Sequence, residues 1–462
     1  MKRSLLENIK DYSQSSIYPL HMPGHKRNME KFPFLPFFSW DMTESYGMVD
    51  LFAKEGLLQE KQEQVAKSHH SYKSYFGING SSGHLLAAIF AATKKKDPVL
   101  VQRNCHRAIY HGLELQELEP IFFLPEENKE FGLYDSVSPQ KIEKLLEEYP
   151  KTKCVLICSP SFEGILSDIK TIAEICHKKD CLLLVDQAHG AHFHYSKDFD
   201  SAISLGADLV IESLHKTLPA LTSTSLLHIS QRIDPKKVEH YLRVFQTSSP
   251  SHILLASIDE CLIYMEEKGR QEMEKHYIKL QAFYKKIQGL EKLQVFQRKD
   301  WFDPSKILIS TSQTPIVGKD LAKILREDYA FELEMAYGDY CLALTSLADR
   351  KDALLAFANA LLEMDQKLEK TQEKKMTIFP SLAKRNFSIR EAQEKEGRLV
   401  HFQDSLGKTI LEYLWAYPPG VPLLIPGERI EASSLARIQE LQDKKIGLET
   451  DHGSFPKLFI EK

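Results

Sequence analysis

Two short apolar runs, each closing on a chargeable side chain, constrain this chain more than any other feature. Residues 182–185 are all Leu or Val, and the run stops at Asp186. It reads as a strand buried on both faces of a parallel sheet. A second run, 208–211, leads into Glu212-Ser213-Leu214-His215-Lys216-Thr217 after one helical crossover. Ligands of open α/β sheets gather beyond the carboxyl ends of the strands, so Asp186 and Lys216 fall where chemistry is done. The alternation extends over about 61–295, with candidate strands at 99–102, 121–124, 154–158, 182–186, 209–212 and 225–229. Helices such as 139–148 and 168–179 lie between them. This pattern predicts an α/β fold around a mainly parallel sheet.

A strand-end carboxylate and a lysine thirty residues on form a specific pair. A pyridoxal phosphate enzyme needs such a pair, the lysine to form an imine and the carboxylate to face the pyridinium nitrogen. The glycine-serine turn Gly80-Ser81-Ser82-Gly83 opens the apolar helix HLLAAIFAAT. Its free N–H groups and positive dipole end make a seat for phosphate, although ordinary helix capping uses the same residues.

VDQAHGAHF followed by SLHKTLPALT resembles the cofactor core of the Orn/Lys/Arg decarboxylase family. Further matches fall in the same order: HMPGHKR at 21–27, NGSSG at 79–83, QRNCHRAIYHG at 102–112, SPSFEG at 159–164, TSSPS at 247–251 and YPPGVPLLIPGE at 417–428. The resemblance implies an aspartate-aminotransferase-like (fold type I) large domain with a mainly parallel sheet, a small α+β domain and a C-terminal domain. It implies pyridoxal phosphate on Lys216, with Asp186 at the ring nitrogen and Ala188 against one ring face. His106 is the match for the histidine over the other face, with a core histidine as the alternative. Ser81, Ser82, Gly83, Ser213 and His215 are expected at the phosphate, and His189 among the cofactor contacts. Thr247 and Ser248 are expected to reach it from a second subunit. His25 and Glu428 are the candidate substrate contacts, Glu428 as the acid near a distal amine or guanidinium, with an exposed loop or capping role as the alternative. Lys216, Asp186, His106 and His215 form the expected catalytic set.

Departures from the family pattern are also visible. Gln187 stands for a glutamate in DEAHGAH, Val49 and Phe52 replace an acid and a histidine, Phe162 loses a phenol, and Ser223 replaces a glutamine. The run His189, His192, His194 has no Cys or Glu partner nearby and fits no common zinc spacing, so no metal is expected.

At 462 residues the chain exceeds one core. The expected units are an N-terminal arm over 1–60, the cofactor domain over 61–295, a small α/β domain over 296–370 and a C-terminal domain over 371–462. In the small domain, strands are expected at 306–310 and 340–345 around a helix at 319–326. The charged run DQKLEKTQEKK reads as a linker or exposed helix end, and YPPGVPLLIPG as a rigid proline-held loop. A formal net charge of −4 gives no reason to expect nucleic acid or an anionic membrane as partner. No apolar run approaches the roughly 20 residues of a membrane span, and the amino terminus has no signal-peptide core. Seven cysteines without CxxC spacing suit free core thiols and a cytoplasmic location. The expected activity is decarboxylation of arginine, lysine or ornithine to CO₂ and a polyamine precursor, by a homodimer or higher homo-oligomer with shared sites. An aminotransferase of the same fold and a cofactor-binding homologue without catalysis are the alternatives.

Overall fold

The computed structural model describes residues 16–20, 51–53, 55–298, 300–371, 377–417 and 420–462. Its largest sheet has seven strands. In spatial order they are Lys73–Gly77, Ser225–Ile229, Leu209–Ser213, Leu182–Asp186, Cys154–Cys158, Pro98–Gln102 and Glu119–Phe123. The last five pair in parallel. Ser225–Ile229 runs antiparallel to both of its neighbours. Its direction follows from chain length. After Ser213 the chain makes one helical turn, Leu214–Thr217, and re-enters the sheet at Ser225. That connection is too short for a parallel crossover, which takes a dozen or more residues.

The sheet is covered on both faces, as a parallel sheet requires. On one face the helix Ile169–Lys178, capped by Asp168 onto the Thr171 amide, buries Ile169, Ile172, Ala173 and Cys176. They pack against Val155, Ile157, Leu183 and Val185. On the other face, helices Gly80–Ala92 and Arg107–Leu115 cover Val99, Val101, Leu156 and Leu184. The edge strand Lys73–Gly77 is absent from the strands expected of the sequence, because KSYFG holds two adjacent aromatics but no longer apolar run. A Cβ at Gly77 would lie 2.4 Å from the His84 ring, so glycine lets the Gly80–Ala92 helix sit close against this strand.

The 35-residue helix His252–Lys286 leads to a four-stranded antiparallel sheet in the order Gln294–Val295, Lys306–Ser310, Tyr340–Leu344, Met335–Tyr337. Helices Gly318–Tyr329 and Lys351–Lys367 accompany it. The charged run after this region is not wholly solvent-facing. Asp365 is buried, and its carboxylate accepts the backbone N–H groups of Glu291, Lys292 and Leu293. YPPGVPLLIPG is not simply a loop either. Leu414–Tyr417 and Val421–Leu424 form an antiparallel pair, with Gly447–Thr450 on the far side. Pro422 is tolerated because its strand is at the edge, where a missing N–H costs no ladder bond. All seven cysteines are free, and Cys154 and Cys158 pack on one face of their strand. Among the described residues no helix is long and apolar enough to cross a membrane.

Two histidines of the core, His84 and His228, are fully buried, and desolvation lowers each pKa to about 3. In the unfolded chain both titrate near the ordinary value of about 6.5. The unfolded state therefore binds more protons below that pH, and stability falls as pH drops from about 6.5 toward 3. At pH 5 each should cost about 2 kcal/mol relative to pH 7. Urea unfolding of the apoprotein at both pH values should show at least that loss, and His228→Gln should remove part of the difference. Equal stability at the two pH values would contradict the burial of neutral rings.

Candidate active site

The carboxyl ends of two neighbouring strands carry the central groups. Asp186 ends Leu182–Asp186 and is buried; its Oδ1 accepts the Ala188 N–H at 3.1 Å. Burial raises its pKa, against the opposing pull of Lys216 and the Ala188 amide. Lys216 lies in the single helical turn Leu214–Thr217 that follows the adjacent strand. Part of its surface stays accessible, while its Nζ lies 3.0 Å from His189 Nε2. Its pKa is lowered. Burial is the main cause, with Asp186 and Glu334 pulling the other way. An amine partly in its free-base form is what imine chemistry needs.

The remaining expected contacts surround this pair unevenly. His106 caps the helix Arg107–Leu115, its Nδ1 accepting the Ala108 N–H, and burial beside Lys216 keeps the ring neutral, with a pKa of about 3. Ala188 and His189 are buried next to Asp186. Ser213 donates to Ser81 Oγ at 2.9 Å, which joins the strand end to the first turn of Gly80–Ala92. Ser82 is exposed on that turn and Gly83 buried. The position where Ser223 replaces a glutamine supplies a backbone anchor, since its carbonyl accepts the Gly80 N–H. His215 is buried with Nδ1 3.0 Å from the Thr224 carbonyl, so Nδ1 carries the proton. Burial lowers its pKa to about 4, which leaves Nε2 an acceptor until an anion nearby raises it. Thr247 and Ser248 are exposed, and the Thr247 N–H points to Asn79 Oδ1 of the same chain. His25 and Val49 lie outside the described residues.

These residues fit pyridoxal phosphate. Asp186 is a buried carboxylate lacking a full counter-charge, which a protonated ring nitrogen would supply. Lys216 offers an amine of depressed basicity, and the helix start beside Ser81 and Ser213 offers donors for phosphate.

Glu428 sits differently from expectation. It is buried, its carboxylate lies 3.2 Å from Arg103 Nη2, and it accepts the Ile425 N–H. Arg103 also donates to Tyr110, Pro422 and Leu423, so this pair pins the C-terminal segment to the main sheet. Both residues line a cavity with Phe162, Glu163, Tyr340 and Arg437. Phe162, which lacks the family's phenol, lines this cavity and stands edge-on to the His189 ring at 4.9 Å, so the cavity and the Lys216 site meet at this ring. Glu163 accepts hydroxyl bonds from Ser161 and Tyr340, both at 2.9 Å. Arg437 pairs with Glu440. Among the described residues, Glu163 is thus the carboxylate of this cavity that no cation meets. Phe52 is a packing residue, with Arg243 over its ring.

The histidine run 189–194 splits three ways. His189 joins Lys216, His192 faces Asp303 at 3.2 Å, and His194 stacks on His69 with ring centroids 3.8 Å apart. His69, Glu212 and His228 bring possible ligand atoms within 4.8 Å of one another, a group the sequence reading did not contain.

Gln187 is explained by this same Glu212. Its Nε2 donates to Glu212 Oε1 at 2.6 Å and to Ser201, while its Oε1 accepts the Ala202 N–H. A glutamate at 187 would set two buried carboxylates against each other, and like charges at that distance do not both ionise. Gln187→Glu should therefore destabilise the protein by at least about 3 kcal/mol. Adding Glu212→Gln should recover most of the loss, because the pair again holds one acid and one amide. Thermal and urea unfolding of the single and double variants measures this; additive losses would show that the two positions are not coupled.

The Orn/Lys/Arg decarboxylase major-domain model matches residues 4–307, and the C-terminal-domain model of that family matches 364–448. An arginine decarboxylase of Halalkalibacterium halodurans is 30% identical over 94% of this chain and 92% of its own. An arginine decarboxylase of Bacillus subtilis is 27% identical over the same shares. In structure, lysine decarboxylase A from Pseudomonas aeruginosa superposes with a TM-score of 0.78 at 19% identity, covering 98% of this chain and 79% of that one. A ureidoglycine-glyoxylate aminotransferase of Bacillus subtilis shares the fold at a TM-score of 0.59 and 14% identity, over 77% and 94% of the two chains. With more than half of its length matched by the family's two models, this chain belongs to the Orn/Lys/Arg decarboxylase family.

Proposed function

We propose that the chain removes the α-carboxylate of a basic amino acid, arginine before lysine or ornithine, using pyridoxal phosphate held at Lys216. The observation that carries this reading is the buried meeting of Asp186, Lys216 and His189 beside the Gly80–Ala92 helix start. Arginine is placed first because the full-length relatives named above are arginine decarboxylases.

When bound, the cofactor accepts the electron pair that the departing carboxylate leaves on the α-carbon. The chain's own residues do the rest. Lys216 would hold the cofactor through its amine, and the same amine would supply the proton that the α-carbon takes up. Asp186 would keep the ring nitrogen protonated, since a carboxylate beside it favours the charged form. Ala188 and the neutral His106 ring would lie against the cofactor's faces, and the turn at Ser81, Ser82 and Gly83, with Ser213, would hold its phosphate. Thr247 and Ser248, exposed on this chain, are read as facing a neighbouring subunit in a homodimer, which sedimentation of the purified protein checks.

The substrate's distal cation needs an acid, because a desolvated charge is costly unless paired. Glu163 suits that task better than Glu428, whose carboxylate is already met by Arg103.

Purified protein with added cofactor should release CO₂ from arginine faster than from lysine or ornithine, and borohydride should fix the cofactor to Lys216. Asp186→Ala should keep that labelling while turnover falls at least about a hundredfold. Keto-acid formation in place of CO₂ would assign aminotransferase chemistry, and labelling at another lysine would end this reading. Glu163→Gln should raise KM for the basic amino acid at least about tenfold with the cofactor spectrum unchanged. Glu428→Gln should instead lower stability, since it strands a buried guanidinium. The reverse pattern would return Glu428 to the substrate site.

A further inference from the structure

Lys306 opens a strand of the second sheet, yet its side chain ends in the site just described. The residue is fully buried, and its Nζ lies 2.7 Å from His189 Nδ1. The opposite ring nitrogen, Nε2, lies 3.0 Å from Lys216 Nζ. One imidazole thus stands between two lysines brought together from two different sheets. The approach is shaped for it. Gly164, at φ +100°, presents no side chain where a Cβ would come within 2.6 Å of Lys306 Cγ and 2.9 Å of its Cβ.

Proton counting decides what this chain can be. An ammonium has three N–H donors and no lone pair, and each ring nitrogen of a neutral imidazole is either donor or acceptor. Two ammonium groups cannot both donate to His189, because its ring would then have no proton at all. One lysine must accept, and so must be a neutral amine. The surroundings indicate which. Asp303, two residues before Ser305 in the turn that leads to Lys306, is fully buried and keeps its carboxylate ionised. Burial raises its pKa, but His192, Lys306 and the Ser305 amide outweigh that and hold it below the usual range. Lys306 therefore has an anion near it. Lys216 has Asp186 and Glu334 as anionic neighbours, but desolvation outweighs both. Among the described residues, the other titratable groups facing this hydrogen-bonded chain are His106 and His215 around His189, and Cys158 near Lys216.

We propose that Lys306 is a positioning residue for the Lys216 site. Its ammonium donates to His189 Nδ1 and fixes the ring as the Nε2–H tautomer. The Nε2–H then faces the Lys216 amine, which accepts it only as the free base. This rests on the reading of Lys216 as the cofactor's attachment point, and it adds a residue that the strand-end motifs do not contain.

The test measures cofactor attachment, not turnover. Apoprotein is mixed with pyridoxal phosphate between about pH 6 and pH 10, trapped with borohydride at intervals, and the Lys216 peptide is quantified. Lys306→Met keeps the apolar stem and removes the charge. His189 can then take its proton on Nδ1 and offer Nε2 as acceptor to a Lys216 ammonium. Free base becomes scarcer, so the pH profile of attachment should move up by about one unit, and attachment at neutral pH should slow about tenfold. In a His189→Gln background the same Lys306→Met change should add no further shift, whereas a merely structural role would add its effect in both. An unmoved profile in Lys306→Met, or an equal shift in the His189→Gln background, overturns the proposal. Absence of label on Lys216 in the unaltered protein overturns the functional reading itself, which separates the two failures. If Lys306→Met does not fold, nitrogen NMR of the imidazoles in the unaltered apoprotein decides alone. An Nε2–H tautomer at His189, assigned against His189→Gln, supports the proposal, and an Nδ1–H tautomer overturns it.

Discussion

Burial of opposite charges at the carboxyl end of a parallel sheet is the constraint on which the rest of this structure depends. Asp186 ends one strand and Lys216 lies in the helical turn that follows its neighbour, and neither is exposed enough to be solvated as an ordinary surface ion. Desolvation pushes the acid up and the lysine down, each toward neutrality, while each charge favours the other. A pair so balanced depresses the basicity of the lysine and so favours its nucleophilic free base. The same burial keeps His106 and His215 neutral, so the site is surrounded by rings that add little charge of their own.

Around that pair, the departures from the family pattern are absorbed locally. Gln187 and Glu212 form one acid–amide couple, so the amide at 187 is the partner that a carboxylate at 212 requires. Ser223 contributes through its carbonyl to the Gly80 amide, a role that depends on the backbone more than on the lost glutamine side chain. Phe162 retains the ring that meets His189. These substitutions change how the shell is satisfied, while Lys216, Asp186 and the helix start keep their places. That favours catalysis over a role limited to cofactor binding.

The cavity beyond Phe162 shows a division of labour between two glutamates. Glu428 is consumed by Arg103 and joins the C-terminal hairpin to the main sheet. Glu163 is instead held by two hydroxyl donors, Ser161 and Tyr340, which orient its carboxylate. Among the described residues, a carboxylate of this cavity that no cation meets is the feature that suits a cationic substrate.

The sequence by itself determined the parallel sheet, the placing of Asp186 and Lys216 at strand ends, and the helix start at Gly80–Gly83. Each is a local property: apolar runs of strand length, turn residues, and charge at a run's end. Strands Cys154–Cys158, Leu182–Asp186 and Ser225–Ile229 are legible for that reason, whereas Lys73–Gly77, with no apolar run, is not. Tertiary structure alone decided the partners. Glu428 reads as a loop acid until Arg103, more than three hundred residues away, is seen beside it. Lys306 reads as a charged strand start, although a lysine opening an otherwise apolar strand was the available signal, and His189 gives it a task only once two sheets meet. Pairing energy depends on distance and on exclusion of water, and neither is a property of neighbouring residues in the chain.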